Sequence, residues 1–348
     1  MILSLFSMDG PFIDGEKSPQ KEYWKILLYH HLKMENKMKR LWLILPLFLV
    51  FSCEDKKENV NDELPVISSL TFVQSATINK RLGASAVSYE NEIYLISGQD
   101  NWDYYNTIEK YDENNNQWIK VNDQVIGRRY FTAEVVNGII YIIGGQTSGG
   151  SLVEIVQAYN ISSNTITTVA SLPTKRSQLN SVVYDGKIYV VGGYLGNNDM
   201  TTGVVEVYNP SSDSWTTLSS MPTARECDIA LIDNNIYALG GYDGTKPLKA
   251  VEIYNIENDS WSKASDLPYD LSAYHLASFE NFVFLFGDYT RLDEVNMYNA
   301  NDESLIKLST NFTGRRHAAV VRKGDWIYVI GGYDGNKTFN IVEKAKPY

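Results

Sequence analysis

Cysteine is nearly absent: Cys53 and Cys227 are the only two in 348 residues, so no disulfide framework can form. Histidine is almost as rare, and beyond residue 66 only His275 and His317 remain. A metal centre built from His and Cys would need almost every candidate at once, so neither a metal nor a cofactor is expected. Basic residues are outnumbered, 31 Lys and Arg against 42 Asp and Glu, and without the first 53 residues the chain is more acidic still. Such a surface repels nucleic acid and anionic lipid. No apolar run is long enough to cross a bilayer: the longest, Leu41 to Phe51, has eleven residues, where about 20 are needed.

What is present can bury a substantial core, with 44% hydrophobic and 12% aromatic residues. Near the N-terminus, "MENKMKRLWLILPLFLVFSC" (34–53) sets a basic segment (Lys37, Lys39, Arg40) before the apolar run and ends in Cys53, the layout of a secretory signal. The hydrophilic "EDKKENVNDE" follows at once. Together these resemble a bacterial lipoprotein signal, which implies export and lipidation of Cys53, with anchorage at the outer membrane or cell surface, outward or periplasm-facing. The competing reading is a plain cleaved signal with a chance cysteine. A signal needs its charges at the terminus, so Met34 or Met38 is expected to start the chain, with 1–33 a non-native extension and 54–65 a flexible tether.

The rest of the chain repeats. An apolar run ending in glycine recurs as "IYLISGQ" (93–99), "IYIIGGQ" (140–146), "IYVVGGY" (188–194), "IYALGGY" (236–242), "VFLFGDY" (283–289) and "IYVIGGY" (327–333), at a period of 44 to 48 residues. Around each run the grammar is the same: an arginine, a β-branched strand, a "DG" or "NG" turn, the glycine run, a variable loop, then two more strands. From the third-strand tyrosine to the fourth-strand anchor the distance is always seven: Tyr111 to Trp118, Tyr159 to Ile166, Tyr208 to Trp215, Tyr254 to Trp261 and Tyr298 to Leu305. A period of this length, with four strands per unit, is architectural.

The glycine pair, spaced tyrosine and tryptophan resemble the kelch motif over residues 66–348. The resemblance implies an all-β, six-bladed β-propeller of four-stranded sheets around a central channel, repeated because no blade can cover both its faces alone. The last repeat offers only a third strand, "TFNIVEKA", while "VISSLTFVQSATI" (66–78) is unmatched at the other end. The N-terminal strand is therefore expected to complete the last blade, with Thr71 or Phe72 at the tryptophan position, closing the ring without an open edge.

Strand direction puts the entry to the first strand and the loop between the second and third on one face. There the glycine-to-tyrosine distances vary, 13, 14, 15, 13 and 10, and variable loops on a rigid scaffold usually carry function. Candidate ligand-binding residues on that face are Arg81, Arg128, Arg176, Arg225 and Arg315, with Arg129 and Arg316 beside two of them, and Trp102, Tyr104, Tyr194, Tyr242 and Tyr333 around them. Arginines at a channel mouth suit a carboxylate or sulfate, and aromatics suit sugar rings or side chains. A structural alternative stays open. Glu109, Glu206, Glu252 and Glu343 stand two residues before the third-strand tyrosine position, and the fifth repeat lacks both partners, with Leu271 and Asn296, as expected if the arginines and glutamates pair inside the blade.

The resemblance implies a monomeric, non-catalytic binder of an extracellular protein or carbohydrate. A second implied reading is a sugar-acting enzyme such as a sialic-acid mutarotase, for which Glu226, Asp228, His317 and Asp100 are the acid–base candidates. A third, a copper radical oxidase using Cys227, Tyr274, His275 and His317, is disfavoured because strand alternation sets Tyr274 and His275 on opposite faces.

Overall fold

The computed structural model describes residues 67–196 and 200–347. The expected extension, signal with Cys53, and tether lie outside the described residues. Six four-stranded antiparallel sheets follow one another along the chain. In blade 1 the strands, a to d from the channel outward, are Ser85–Tyr89, Glu92–Ile96, Ile108–Asp112 and Gln117–Asn122. In blade 3 they are Asn180–Tyr184, Lys187–Val191, Val205–Asn209 and Ser214–Leu218. Strand a of blades 2, 4, 5 and 6 is Thr132–Val136, Ile229–Ile232, His275–Phe279 and Ala319–Lys323.

The burial pattern explains the repeated apolar run. Strand b of blade 3 buries Ile188, Tyr189, Val190 and Val191 in succession, because a neighbouring blade covers each face of the sheet and no side is left for alternation. Strand d, at the rim, is only partly buried. The core is accordingly divided into six clusters, each between adjacent blades. Trp215 packs on Tyr208 with ring centres 5.1 Å apart. The invariant seven-residue spacing follows from the pairing of these two residues across strands c and d, pinned by Asp213 in the turn, which accepts from the Tyr208 hydroxyl at 2.7 Å and from Ala170 N of the preceding blade at 2.8 Å.

The glycine pair is a clasp between blades. Gly192 has φ +62° and a Cβ there would lie 2.5 Å from the Arg225 carbonyl oxygen of the next blade, so no side chain fits. Gly193 N donates to that same carbonyl at 3.0 Å. The clasp recurs at Gly145 to Arg176 O, Gly241 to Leu271 O and Gly332 to Arg81 O. In blade 1 Ser97 replaces the first glycine, accepts φ 49°, and uses its hydroxyl to bond Arg128 backbone atoms.

Closure is as expected. Strand Val73–Gln74 pairs antiparallel with Val342–Ala345, Val73 opposite Lys344, so Phe72 falls opposite Ala345, the position other blades give to tyrosine. Phe72, not exposed Thr71, therefore fills the tryptophan position, packed on Phe286 and Phe312. A second contact was not foreseen: Ser69–Leu70 pairs in parallel with Ser309–Thr310, and the Asn311 side chain brackets Phe72, accepting from its N at 2.7 Å and donating to its O at 3.0 Å.

Candidate functional site

The five repeated arginines are not at the surface. Arg81, Arg128, Arg176, Arg225 and Arg315 are each 0% exposed. Four pair with the glutamates of strand c: Arg81 with Glu109 at 2.6 Å, Arg176 with Glu206 at 2.5 Å, Arg225 with Glu252 at 2.5 Å and Arg315 with Glu343 at 2.6 Å. Each guanidinium also donates to backbone carbonyls; Arg176 reaches Thr174 O and Gly192 O, tying the incoming loop, the glycine clasp and strand c together. Arg128 instead donates to the Gln157 amide oxygen at 3.0 Å, and burial without a carboxylate lowers it to about 10, still a cation at neutral pH. In blade 5 the substitution is reciprocal: Leu271 and Asn296 are fully buried and the Tyr269 hydroxyl takes the guanidinium's place on Asn296 at 2.6 Å. The expectation that these five arginines face a ligand is therefore corrected in favour of the structural alternative, since their guanidiniums are fully buried and bonded within the blades.

The residue after each arginine lies on the mouth side, partly exposed at Leu82, Arg129, Glu226 and Arg316 and buried at Ser177. Strand alternation turns it the other way, and it pairs through backbone with the residue after the glycine pair: Leu82 with Gln99, Arg129 with Gln146, Ser177 with Tyr194, Glu226 with Tyr242 and Arg316 with Tyr333. In blade 5 Tyr289 N donates to Ser272 O at 2.9 Å. These pairs form a collar in which Tyr194, Tyr242 and Tyr333 hold the places expected of them, half-buried. Trp102 caps the hairpin Gln99–Asp100 with Asp103–Tyr104 and is 88% exposed, and Tyr289 is 61% exposed; Tyr104 is half-buried.

Inside the collar, the second residue after the arginine position holds left-handed backbone at Gly83, Tyr130, Gln178, Ala273 and His317, with φ from 52° to 60°. Such φ is rare for bulky side chains and costs of order 1 kcal/mol or more for Tyr or His. Gly83 N bonds His317 O, Tyr130 N bonds Gly83 O and Gln178 N bonds Tyr130 O, at 2.9, 2.9 and 2.7 Å, a backbone arc joining blades 6, 1, 2 and 3. The rings of Tyr130 and His317 meet at 5.1 Å. Above the arc lies a pocket of about 380 Å³ lined by Arg129, Tyr130, Gln178, Glu226, Tyr242 and His317, among others.

Below it the channel is a cavity of about 1000 Å³ walled by the six a strands. Its wall at blades 3 to 5 carries a side-chain chain: Asn180 Nδ2 donates to Asp228 Oδ1 at 2.9 Å, and Asp228 Oδ2 lies 3.0 Å from His275 Nδ1. His275 Nε2 is buried without a partner, and its ring is 6.3 Å from that of His317. Burial first, then His275, Arg316 and Arg129, hold His317 well below the ordinary imidazole range, so it is neutral at pH 7. Deeper in, Glu134 accepts from the Ser181 hydroxyl at 2.9 Å, yet desolvation pushes it up to about 8. Cys227 is buried, and burial lifts its thiol to about 11, which makes it inert. Among the described residues no group of three His, Cys, Asp or Glu is arranged to hold a metal.

Comparison with known proteins agrees with this geometry. The family described as the Attractin/LZTR1 beta-propeller matches residues 66–342. Human Kelch-like protein 23 is 29% identical over 171 residues, 49% of this chain and 30% of that protein. Spermatocyte protein spe-26 of Caenorhabditis elegans is 28% identical over 240 residues, 65% of this chain and 41% of its own. Kelch repeat and BTB domain-containing protein 2 of cowpox virus (strain GRI-90 / Grishak) is 26% identical over 196 residues, 50% and 35%. The match thus spans less than half the length of each of these relatives. A family match over most of the chain, on a six-bladed wheel in which five blades carry the buried arginine and four of those its glutamate partner, means that this chain is a kelch-repeat member of the Attractin/LZTR1 β-propeller family.

Proposed function

We infer that the chain is a binding propeller that grips a partner protein on its loop face, and that it works as an exported lipoprotein held by Cys53. The observation that carries the first part is the collar: it brings exposed Trp102 and Tyr289, the three half-buried tyrosines, Arg129 and Arg316 to one mouth, and Trp, Tyr and Arg are the residues that dominate protein interfaces. The opposite face consists of two-residue hairpins between strands a and b and four-residue turns between strands c and d. A photocrosslinker placed at position 102 or 289 in cells of origin should capture a protein that the same probe at Asp185, in a hairpin turn, does not; equal capture from both faces would end the reading. A glycan-array signal abolished by Trp102→Ala would instead make the ligand carbohydrate. For the anchor, Cys53→Ala protein should leave the membrane fraction.

A sugar-acting reading is supported by one feature, the Asp228–His275 hydrogen bond with an unpartnered Nε2 at the channel. A carboxylate-oriented imidazole of this kind can take a proton from a hydroxyl. Proton NMR of free sialic acid tests it: anomer exchange no faster than in buffer removes the idea.

A further inference from the structure

One residue of the channel wall breaks the repeat. In five blades the strand-a residue opposite the aromatic of the glycine run is small and apolar: Val87, Val182, Ala230, Ala277 and Val321. In blade 2 that place, opposite Tyr141, belongs to Glu134. A carboxyl there adds nothing to the packing between blades, and removing it from water counts against the fold. Its hydrogen bonding is half complete. The Ser181 hydroxyl, 2.6 Å from that of Thr132, donates to Glu134 Oε1 at 2.9 Å, while Oε2 accepts from none of the described residues. From Ser181 a polar line continues around the wall: Ser181 N donates to Asn180 Oδ1 at 2.8 Å, Asn180 to Asp228, and Asp228 meets His275. With Nδ1–H given to Asp228, His275 keeps Nε2 as an acceptor without a donor.

The charge of the cavity is one-sided. Glu134, Glu226, Asp228, Asp270 and Asp288 line it, against one cation, Arg322, which lies 3.8 Å over the Phe279 ring. The lining reaches Tyr242 and exposed Tyr289 of the collar, which gives the cavity an entrance. We propose that the channel binds an amine-bearing polyol of the amino-sugar class, its ammonium on Glu134 and its hydroxyls on the polar wall through Asn180 and His275. The acidic lining selects a cation, and the donors missing at Glu134 Oε2 and His275 Nε2 call for N–H and O–H groups. A volume of about 1000 Å³ holds a mono- or disaccharide and no folded partner. Ser85, Ser88 and Ser278 supply further hydroxyls along the wall. The site is independent of whatever protein the collar holds.

Burial also pushes the Glu134 carboxyl up to about 8, so at neutral pH it keeps a proton that an arriving ammonium displaces. The strands packed on it carry no charge: Ser85–Tyr89 and Asn180–Tyr184 bring only Tyr89 and Tyr184, and Ile139–Ile143 only Tyr141. Calorimetric titration of the full-length protein at about pH 6 tests the seat. Glucosamine should bind, and N-acetylglucosamine, the same ring without the ammonium, should not. Repeating the titration in two buffers of different ionisation enthalpy should reveal net proton release on binding. Glu134→Gln should weaken glucosamine by about tenfold or more and abolish that release, and thermal unfolding at pH 4 that matches wild type shows the variant to be folded. No binding of millimolar glucosamine, equal binding of the N-acetyl sugar, binding without proton release, or undiminished binding by Glu134→Gln overturns the seat. Ethanolamine held as tightly as glucosamine would keep the ammonium on Glu134 and overturn the sugar.

Discussion

Arg176 and Arg128 occupy equivalent places in adjacent blades but lean on different partners, the carboxylate of Glu206 in one case and the amide of Gln157 in the other. Truncating Arg176 to Ala strands a buried anion and should cost about 3–5 kcal/mol. Arg128→Ala strands only a neutral amide and should cost about 1–3 kcal/mol, an ordering that urea unfolding can read. Glu134 gives a pH signature. Its folded pKa, about 8, lies above the unfolded value of 4.5, so the stability it contributes is intact below 4.5 and is lost as pH rises through 8. Glu134→Gln should therefore raise Tm relative to wild type by a few degrees at pH 9 and by almost nothing at pH 4; equal shifts at both would mean that the carboxyl ionises freely. Repetition made the staple legible, since Arg and Glu vanish together at Leu271 and Asn296. It misdirected the site, because residues shared by every blade serve the wheel. The collar positions Leu82, Arg129, Ser177, Glu226, Ser272 and Arg316 differ from blade to blade, and that variation at a fixed place was the available signal for what is particular to this mouth.

Among elements, the short strand Val73–Gln74 was readable because one repeat lacked a fourth strand and the leading segment lacked a first. The parallel contact of Ser69–Leu70 with Ser309–Thr310 was not, since a two-residue pairing leaves no periodic trace. Closure should be sensitive to both. Phe72→Ala removes the ring wedged against Phe286 and Phe312 and is expected to cost about 3–5 kcal/mol. Asn311→Ala removes two hydrogen bonds to the Phe72 backbone and should cost about 1–3 kcal/mol, opening residues 67–80 to limited proteolysis before the remainder; simultaneous cleavage throughout would show that the strand is no separate latch. At the clasp, Gly192→Ala forces a methyl to within 2.5 Å of a carbonyl oxygen and should lower Tm sharply, whereas Gly186→Ala, with nothing within 4 Å of its Cβ, bears only the φ penalty.

For the whole molecule, blade number and closure followed from period and strand count. The left-handed residues at the mouth did not, because Tyr130 is a residue type that gives no hint of positive φ. One topological detail has a practical outcome. Strand Val73–Gln74 runs toward the collar, so Ile67 enters the wheel from the side of the tight hairpins. A tag joined directly at Ile67 would thus attach on the side away from the mouth and leave the collar open, like a handle fixed to the back of a dish.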